Sequence, residues 1–210
     1  ATVSEVPTPW MCLQEDLRRA NLDPGKLVRI SDRTMAENRD ALARGEVDVV
    51  QLFEPFVQQL VERGAGYIWQ SAADRGRTSY TTFFARRTFL DAESEVAAAL
   101  TRAIHRIQIW LRQAEDAEIA AIVAPYFPDL GHRTLAGAIG RYRSNGVWGD
   151  TPVMTRDAFD RQAAGLVSGG LVRTRPSFDD CVDMRFARAA VASSSDKALD
   201  ETQPCQGGNP

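Results

Sequence analysis

The chain has 210 residues, of which 44% are apolar, and its 25 basic and 28 acidic side chains give a formal net charge of −3. That length allows one or two domains with a hydrophobic core, and the absence of a long run of one charge argues against a nucleic-acid-binding surface. No apolar run approaches the roughly 18 residues that a membrane span requires. The composition therefore predicts a soluble globular protein.

The first predicted helix begins at Thr8-Pro9, because Thr is a good N-cap and Pro is tolerated in the first helical turn. Apolar residues at helical spacing follow from Trp10 onward, and Asp23-Pro24-Gly25 ends the segment. The next stretch, Lys26–Ile30, has the composition of a strand. With a first strand before Thr8, the chain is thus expected to open in the order strand, helix, strand.

The second predicted helix has a complete set of end signals. The sequence Thr34-Met35-Ala36-Glu37 is a capping-box pattern, in which the Thr and Glu side chains each accept a hydrogen bond from the other residue's backbone N–H. Asn38–Arg44 continues the helix, and Gly45 is suited to the left-handed conformation that terminates it.

The most informative stretch is the apolar strand Val47–Phe53, which runs directly into Glu54 and Pro55. Pro55 predicts the start of a helix over Phe56–Arg63, so Glu54 would lie at the carboxyl end of the strand, where open α/β sheets bind ligands. Glu54 could instead cap the helix and interact with its positive end. The segment alone leaves both roles open.

A last strand at Tyr67–Gln70 completes an alternation of strands and helices over residues 1 to about 70. Such alternation predicts an α/β fold whose strands are parallel and joined by right-handed crossovers. After a polar loop, Tyr80–Arg86 is a further strand-like segment, and residues 93–192 are almost wholly helical in pattern. The helices are expected from Val96 to Leu111 and around three shorter segments. Those segments are Glu118–Val123, Arg133–Arg143 and Thr155–Ser168.

The order and spacing of several short motifs resemble the type 2 periplasmic solute-binding proteins of ABC importers, specifically the sulfonate, nitrate and thiamine-precursor (taurine-like) branch. The resemblance covers roughly residues 1 to 190. The motifs are Pro7-Thr8-Pro9-Trp10, Leu22-Asp23-Pro24, Met35 through Asp48, Phe53-Glu54-Pro55, Gly64-Ala65-Gly66, Tyr80-Thr81-Thr82-Phe83-Phe84, Arg141-Tyr142 and Val147-Trp148.

The resemblance implies a two-lobed fold of mixed, mainly parallel sheets with flanking helices. Residues 1–73 would form the second lobe, residues 74–192 the hinge return and the helical remainder of the first lobe, and residues 193–210 a disordered tail. Because members of that family are substantially longer, we expect an amino-terminally truncated fragment with an incomplete first lobe and a contiguous apolar surface on the helices of residues 93–192. The alternative is that these helices form a self-contained subdomain.

The resemblance further implies a periplasmic protein that captures a small molecule and delivers it to an ABC permease and ATPase complex. The ligand would be a small organic anion, a zwitterion or an aromatic heterocycle of the sulfonate, nitrate or thiamine-pyrimidine class. The predicted ligand-binding residues are Thr8, Pro9 and Trp10 at a helix amino terminus, Glu54 as an acceptor, and Tyr80 and Thr81 from the other lobe.

Neither catalysis nor a cofactor is expected. The two histidines and three cysteines lack the spacing of a metal site, and no nucleophile elbow or glycine-rich phosphate loop is present. Two alternatives remain, a pyrimidine-precursor synthase-like enzyme that would hold pyridoxal phosphate through a lysine, and a ligand-sensing domain of a receptor or regulator.

Overall fold

A computed structural model describes the backbone of residues 1–200 and the side chains of residues 1–194. Three single turns of 3₁₀ helix lie at Pro24–Lys26, Ala72–Arg75 and Ala124–Tyr126. The α-helices are α1 (Thr8–Arg19), α2 (Met35–Ala43), α3 (Phe56–Glu62), α4 (Arg87–Ala92), α5 (Ser94–Gln113), α6 (Asp116–Val123), α7 (His132–Ser144), α8 (Arg156–Ser168), α9 (Phe178–Cys181) and α10 (Arg185–Asp200). Of the expected disordered tail, residues 201–210 lie outside the described residues.

The predicted α/β fold is wrong, because residues 1–200 contain helices, turns and irregular segments but no β-strand. The two-lobed, mainly parallel sheet of the type 2 binding-protein fold is therefore absent from this part of the chain. Four of the segments expected to be strands form turns or irregular backbone instead. They are Lys26–Ile30, Val47–Phe53, Tyr67–Gln70 and Tyr80–Arg86.

The physical reason is that these segments lack strand neighbours. Three backbone hydrogen bonds join the amino terminus to two of them, from the Ala1 amino group to Val49 O (2.6 Å), from Gln51 N to Ala1 O (3.0 Å) and from Thr2 N to Ile30 O (3.0 Å). Three bonds do not make a ladder, and side chains that a sheet would cover stay exposed. Tyr67 and Trp69 are 90% and 80% exposed.

The local helix signals, by contrast, are confirmed. In α2 the Glu37 N–H donates to Thr34 Oγ1 (3.2 Å) and the Thr34 N–H donates to Glu37 Oε2 (2.7 Å), so the capping box is complete. Gly45 has φ +73°, the left-handed conformation predicted for the end of this helix. Helix α1 differs by one residue, since Pro7 precedes it and Thr8 is its first residue, without a side-chain cap.

The helices pack in pairs. Helices α6 and α7 share an apolar core, while α5 packs on α10, α1 on α8, and α3 on both α2 and α7. A Cβ at Gly137 of α7 would meet the amide end of the Gln58 side chain of α3, which would then have to shift. The buried residues of the α6–α7 core are Ala114, Ile119, Ala120, Leu135 and Ile139.

Helix α5 forms where the apolar spacing predicts, but its most buried residues are Ala97 and His105. Three of its predicted apolar-face residues, Val96, Leu100 and Ile107, are 54%, 47% and 50% exposed. Among residues 1–200, no helix is both long enough and apolar enough to cross a membrane.

We expect Leu135→Ala to lower the free energy of unfolding by about 2–5 kcal/mol, because Leu135 is 4% exposed and truncation leaves a cavity in the α6–α7 core. Leu100→Ala is the matched control, with an expected change within about 0.5 kcal/mol for a half-exposed leucine on a helix. Urea denaturation followed by circular dichroism measures both. Equal losses in the two variants would contradict the assignment of this core.

Candidate functional site

Three separate segments of the chain meet at the start of α1. The Thr8 side chain lies close enough to the Tyr80 hydroxyl to affect its pKa, and the Tyr80 ring meets the Phe53 ring edge-on, with centroids 6.4 Å apart and planes at 63°. The Gln51 side chain donates from Nε2 to the carbonyl oxygen of Pro9 (2.9 Å). We call Thr8, Pro9, Gln51, Phe53 and Tyr80 the α1 cluster.

Tyr80 is the solvent-facing member of the α1 cluster. Its ring contacts Phe53, yet the residue is 48% exposed, so part of the side chain is accessible. Partial burial raises the pKa of Tyr80, and the nearby Thr8 side chain offsets that rise only in part. The hydroxyl therefore stays protonated at neutral pH and can both donate and accept a hydrogen bond.

Trp10 lies in the first turn of α1 and is partly buried. The guanidinium carbon of Arg29 is 4.2 Å from the centroid of the indole ring, which is cation–π geometry. Arg29 also donates from Nε to Thr2 Oγ1 (2.9 Å). Arg29 therefore covers part of the indole, and the sequence analysis did not identify this residue.

Glu54 is the charged residue among the predicted ligand-binding residues, and its side chain is 4% exposed. Its Oε1 accepts a hydrogen bond from Arg141 Nε (2.6 Å) and its Oε2 accepts one from the Gln58 backbone N–H (2.9 Å). Its own backbone N–H donates to the Tyr142 hydroxyl (3.2 Å), and Arg141 also donates from Nη2 to Gln58 Oε1. The carboxylate thus caps the first turn of α3 and joins α3 to α7.

Burial raises the pKa of Glu54 above its ordinary value, and the hydrogen bonds from Gln58 and Arg141 reduce that rise. Burial likewise raises the pKa of Tyr142. Glu54 therefore loses its proton less readily than an exposed glutamate does.

The structure brings some of the predicted ligand-binding residues together and leaves others apart. Thr8, Pro9 and Tyr80 belong to the α1 cluster, while Glu54 follows Phe53 and turns its carboxylate to Arg141 and α3. Trp10 contacts Arg29. Thr81 is exposed, and within residues 1–194 its side chain makes no hydrogen bond.

Sequence reasoning missed Arg29, Gln51 and Gln58 as parts of this region. Arg141 and Tyr142 stood among the motifs of the resemblance, but their contact with Glu54 spans 87 and 88 residues, and no local pattern encodes it. The isolated polar residue Gln51 inside an apolar run was a usable signal, since a polar side chain there needs a partner.

A separate surface depression lies on α2. It has a volume of about 290 Å³ and is lined by charged residues on and around α2, namely Arg33, Glu37, Asp40, Arg44 and Glu46. Ligand pockets are mostly apolar with a few polar groups, so this charged depression is a poorer candidate than the α1 cluster. No group of three or more metal-ligating side chains occurs within the described part of the chain.

We expect Glu54→Gln to destabilise the protein most at low pH. A carboxyl group whose folded pKa is raised above 4.5 contributes stability that is fully present below that pH and is lost as pH rises through the folded pKa. Gln cannot titrate, so the loss caused by the substitution should shrink from about pH 4 to pH 7. Urea denaturation across this range measures it.

Glu5→Gln is the control of opposite sign. The hydrogen bond from the Met35 backbone N–H lowers the pKa of Glu5, so its contribution is present above pH 4.5 and is lost as pH falls through the folded pKa. The effect of this substitution should therefore grow from acid to neutral pH. The same pH trend in both variants would refute the assignment for Glu54.

Comparison with known proteins finds a family whose sequence model matches this chain. The model of the NMT1-like family matches residues 1–124, which include the whole α1 cluster and Glu54. A Bacillus subtilis (strain 168) protein named "Putative binding protein YtlA" is 27% identical over 186 residues. That alignment covers 88% of this chain and 56% of the relative, so the chain spans just over half the relative's length. No solved structure matches the chain.

Proposed function

Because the chain belongs to the NMT1-like family, we propose that it captures a small organic solute at the α1 cluster and acts as the solute-binding component of an import system. The observation that carries this proposal is the meeting of Thr8, Phe53 and Tyr80 at the start of α1, with Tyr80 left 48% exposed. The name of the Bacillus subtilis relative, a binding protein, supports the same role.

The chemistry of the α1 cluster suits a flat molecule with polar edges. Tyr80 offers a half-exposed side chain with a protonated hydroxyl, and Trp10 offers a partly exposed indole. Aromatic side chains with a polar group give both contact area and orientation to a ligand. Thr81, exposed beside Tyr80, adds a free hydroxyl.

Glu54 is included in the proposed site because it directly follows Phe53 of the α1 cluster. Its two carboxylate oxygens already accept hydrogen bonds from Arg141 and from the Gln58 N–H. Because the Glu54 side chain is only 4% exposed, a ligand amino group would gain it as an acceptor only by displacing one of these donors. The proposed ligands, which the resemblance of the short motifs implies, are small organic anions, zwitterions and aromatic heterocycles of the sulfonate, nitrate or thiamine-pyrimidine class.

Delivery to an ABC permease and ATPase complex, and a periplasmic location, complete the proposal. Both derive from the resemblance of the short motifs to importer binding proteins. Because the chain spans just over half the length of its relative, the partners and ligand of the whole protein are likewise proposed.

The family and the relative's name point to a binding protein and not to an enzyme. A pyridoxal phosphate enzyme needs a lysine that forms a Schiff base with the cofactor, and such lysines are typically held in a protected site. Lys26 ends an exposed 3₁₀ turn, which differs from that environment. No observation favours the alternative of a sensing domain.

Isothermal titration of the full chain with taurine, ethanesulfonate, nitrate and an aminopyrimidine tests the proposal. We expect at least one of them to bind, and Tyr80→Ala to weaken it by about 1–2 kcal/mol, roughly tenfold in Kd, through loss of ring contact. Tyr126→Ala is the matched control, because Tyr126 is 80% exposed in the turn after α6 and outside the α1 cluster. Binding that survives unchanged in Tyr80→Ala would exclude the α1 cluster as the site.

A further inference from the structure

The side chain of Arg29 is fixed in position although it is exposed to solvent. One face of its guanidinium group lies over the Trp10 ring at 4.2 Å, and its Nε donates to Thr2 Oγ1 at 2.9 Å. Thr2 is itself 6% exposed and held by its backbone, because its N–H donates to Ile30 O (3.0 Å) and its carbonyl accepts from Asn38 Nδ2 (3.1 Å). Arg29 is thus oriented by rigid neighbours.

The charge of Arg29 is not neutralised by a carboxylate. The next two arginines along the chain, Arg33 and Arg39, form salt bridges with Glu46 and Asp40, respectively. Within residues 1–194, Arg29 makes no salt bridge, and its recorded hydrogen bond uses Nε alone. The N–H groups of both Nη atoms are consequently available.

This arrangement leaves one edge of the guanidinium group open. The guanidinium carbon lies over the Trp10 ring and Thr2 accepts from Nε, so the pair of Nη atoms is the part that a ligand can reach. Two parallel N–H groups in one plane match two oxygens of a carboxylate, a sulfonate or a phosphate group. Because Trp10 and Thr2 already hold the Arg29 side chain, it loses little rotamer entropy when such a group binds.

We propose that Arg29 binds the oxyanion group of the solute, with Trp10 as the surface that orients it. The inference rests on the proposed function, because Trp10 lies in the first turn of α1 beside Thr8 and Pro9 of the α1 cluster. The role of Arg29 narrows the proposed solutes to molecules that carry a carboxylate, sulfonate or phosphate group. Neutral molecules of the same shape should bind less well.

The first test titrates the full chain with sodium sulfate, sodium acetate and sodium methanesulfonate at constant ionic strength. The Nε–Hε resonance of Arg29 is followed by NMR and assigned by its disappearance in Arg29→Lys. We expect a saturable shift for at least one of these anions. A shift that stays linear, or that matches the one shown by the exposed Arg102, would overturn the proposal.

The second test compares variants with the solute that binds in calorimetry and with a neutral analogue of it. Arg29→Gln should weaken an anionic solute about tenfold or more and leave the neutral analogue unchanged, since a hydrogen bond to a charged group is lost. Arg29→Lys should recover only part of the affinity, because Lys keeps the charge but not the planar pair of donors. Arg102→Gln is the control, with no expected change.

The outcomes separate this inference from the proposed function. Equal solute binding by the wild-type chain and Arg29→Gln would refute the role of Arg29 and leave solute binding intact. Absence of solute binding alongside a saturable shift of Arg29 would refute the proposed function and support an oxyanion site. Thermal unfolding of each variant shows whether a loss of affinity follows from a loss of structure, and the titration of the wild-type chain is independent of that question.

Discussion

The buried ion pair between Glu54 and Arg141 is the interaction on which the candidate site depends. It joins the end of the segment that carries Gln51 and Phe53 to α3 and, across 87 residues, to α7. Removal of one partner from a buried pair leaves an uncompensated charge and typically costs about 3–5 kcal/mol, although Arg141 is 25% exposed and solvent reduces that cost. Together with the bonds of Gln51 to Ala1 and Pro9, this pair fixes the segment that places Phe53 against Tyr80.

The same pair shows why Glu54 is ambiguous from the sequence. A carboxylate before a helix can cap the helix or bind a ligand, and the bond from the Gln58 N–H shows that it does cap α3. Its partner Arg141 lies beyond residue 124, where the family match ends, so the matched segment does not by itself fix the Glu54 side chain. The helices after residue 124 therefore contribute directly to the geometry of the α1 cluster.

How far the sequence predicts this structure depends on the range of the forces involved. The capping box at Thr34, the end of α2 at Gly45 and the amphipathic α5 were predictable, because each depends on residues within a few turns of one another. The sheet was predicted wrongly because strand composition at Val47–Phe53 or Tyr67–Gln70 specifies a preference for extended backbone but no hydrogen-bonding partner. In the site, Thr8 and Tyr80 were both chosen, yet their mutual contact and the place of Arg29 on Trp10 required the fold.

The amino-terminal segment links these observations. Ala1 and Thr2 lie between the extended segments that contain Ile30 and Val49, and the hydrogen bonds they make position Arg29 on one side and Gln51 on the other. Asn38 of α2, which is fully buried, donates to the Thr2 carbonyl and so couples α2 to the same arrangement. Ala1 and Thr2 therefore hold both Arg29, which contacts Trp10, and Gln51, which contacts Pro9. A change in the path of residues 1–3 would displace Arg29 from Trp10 and Gln51 from Pro9 together, whereas a change at Arg141 would act on Phe53 and leave Arg29 in place.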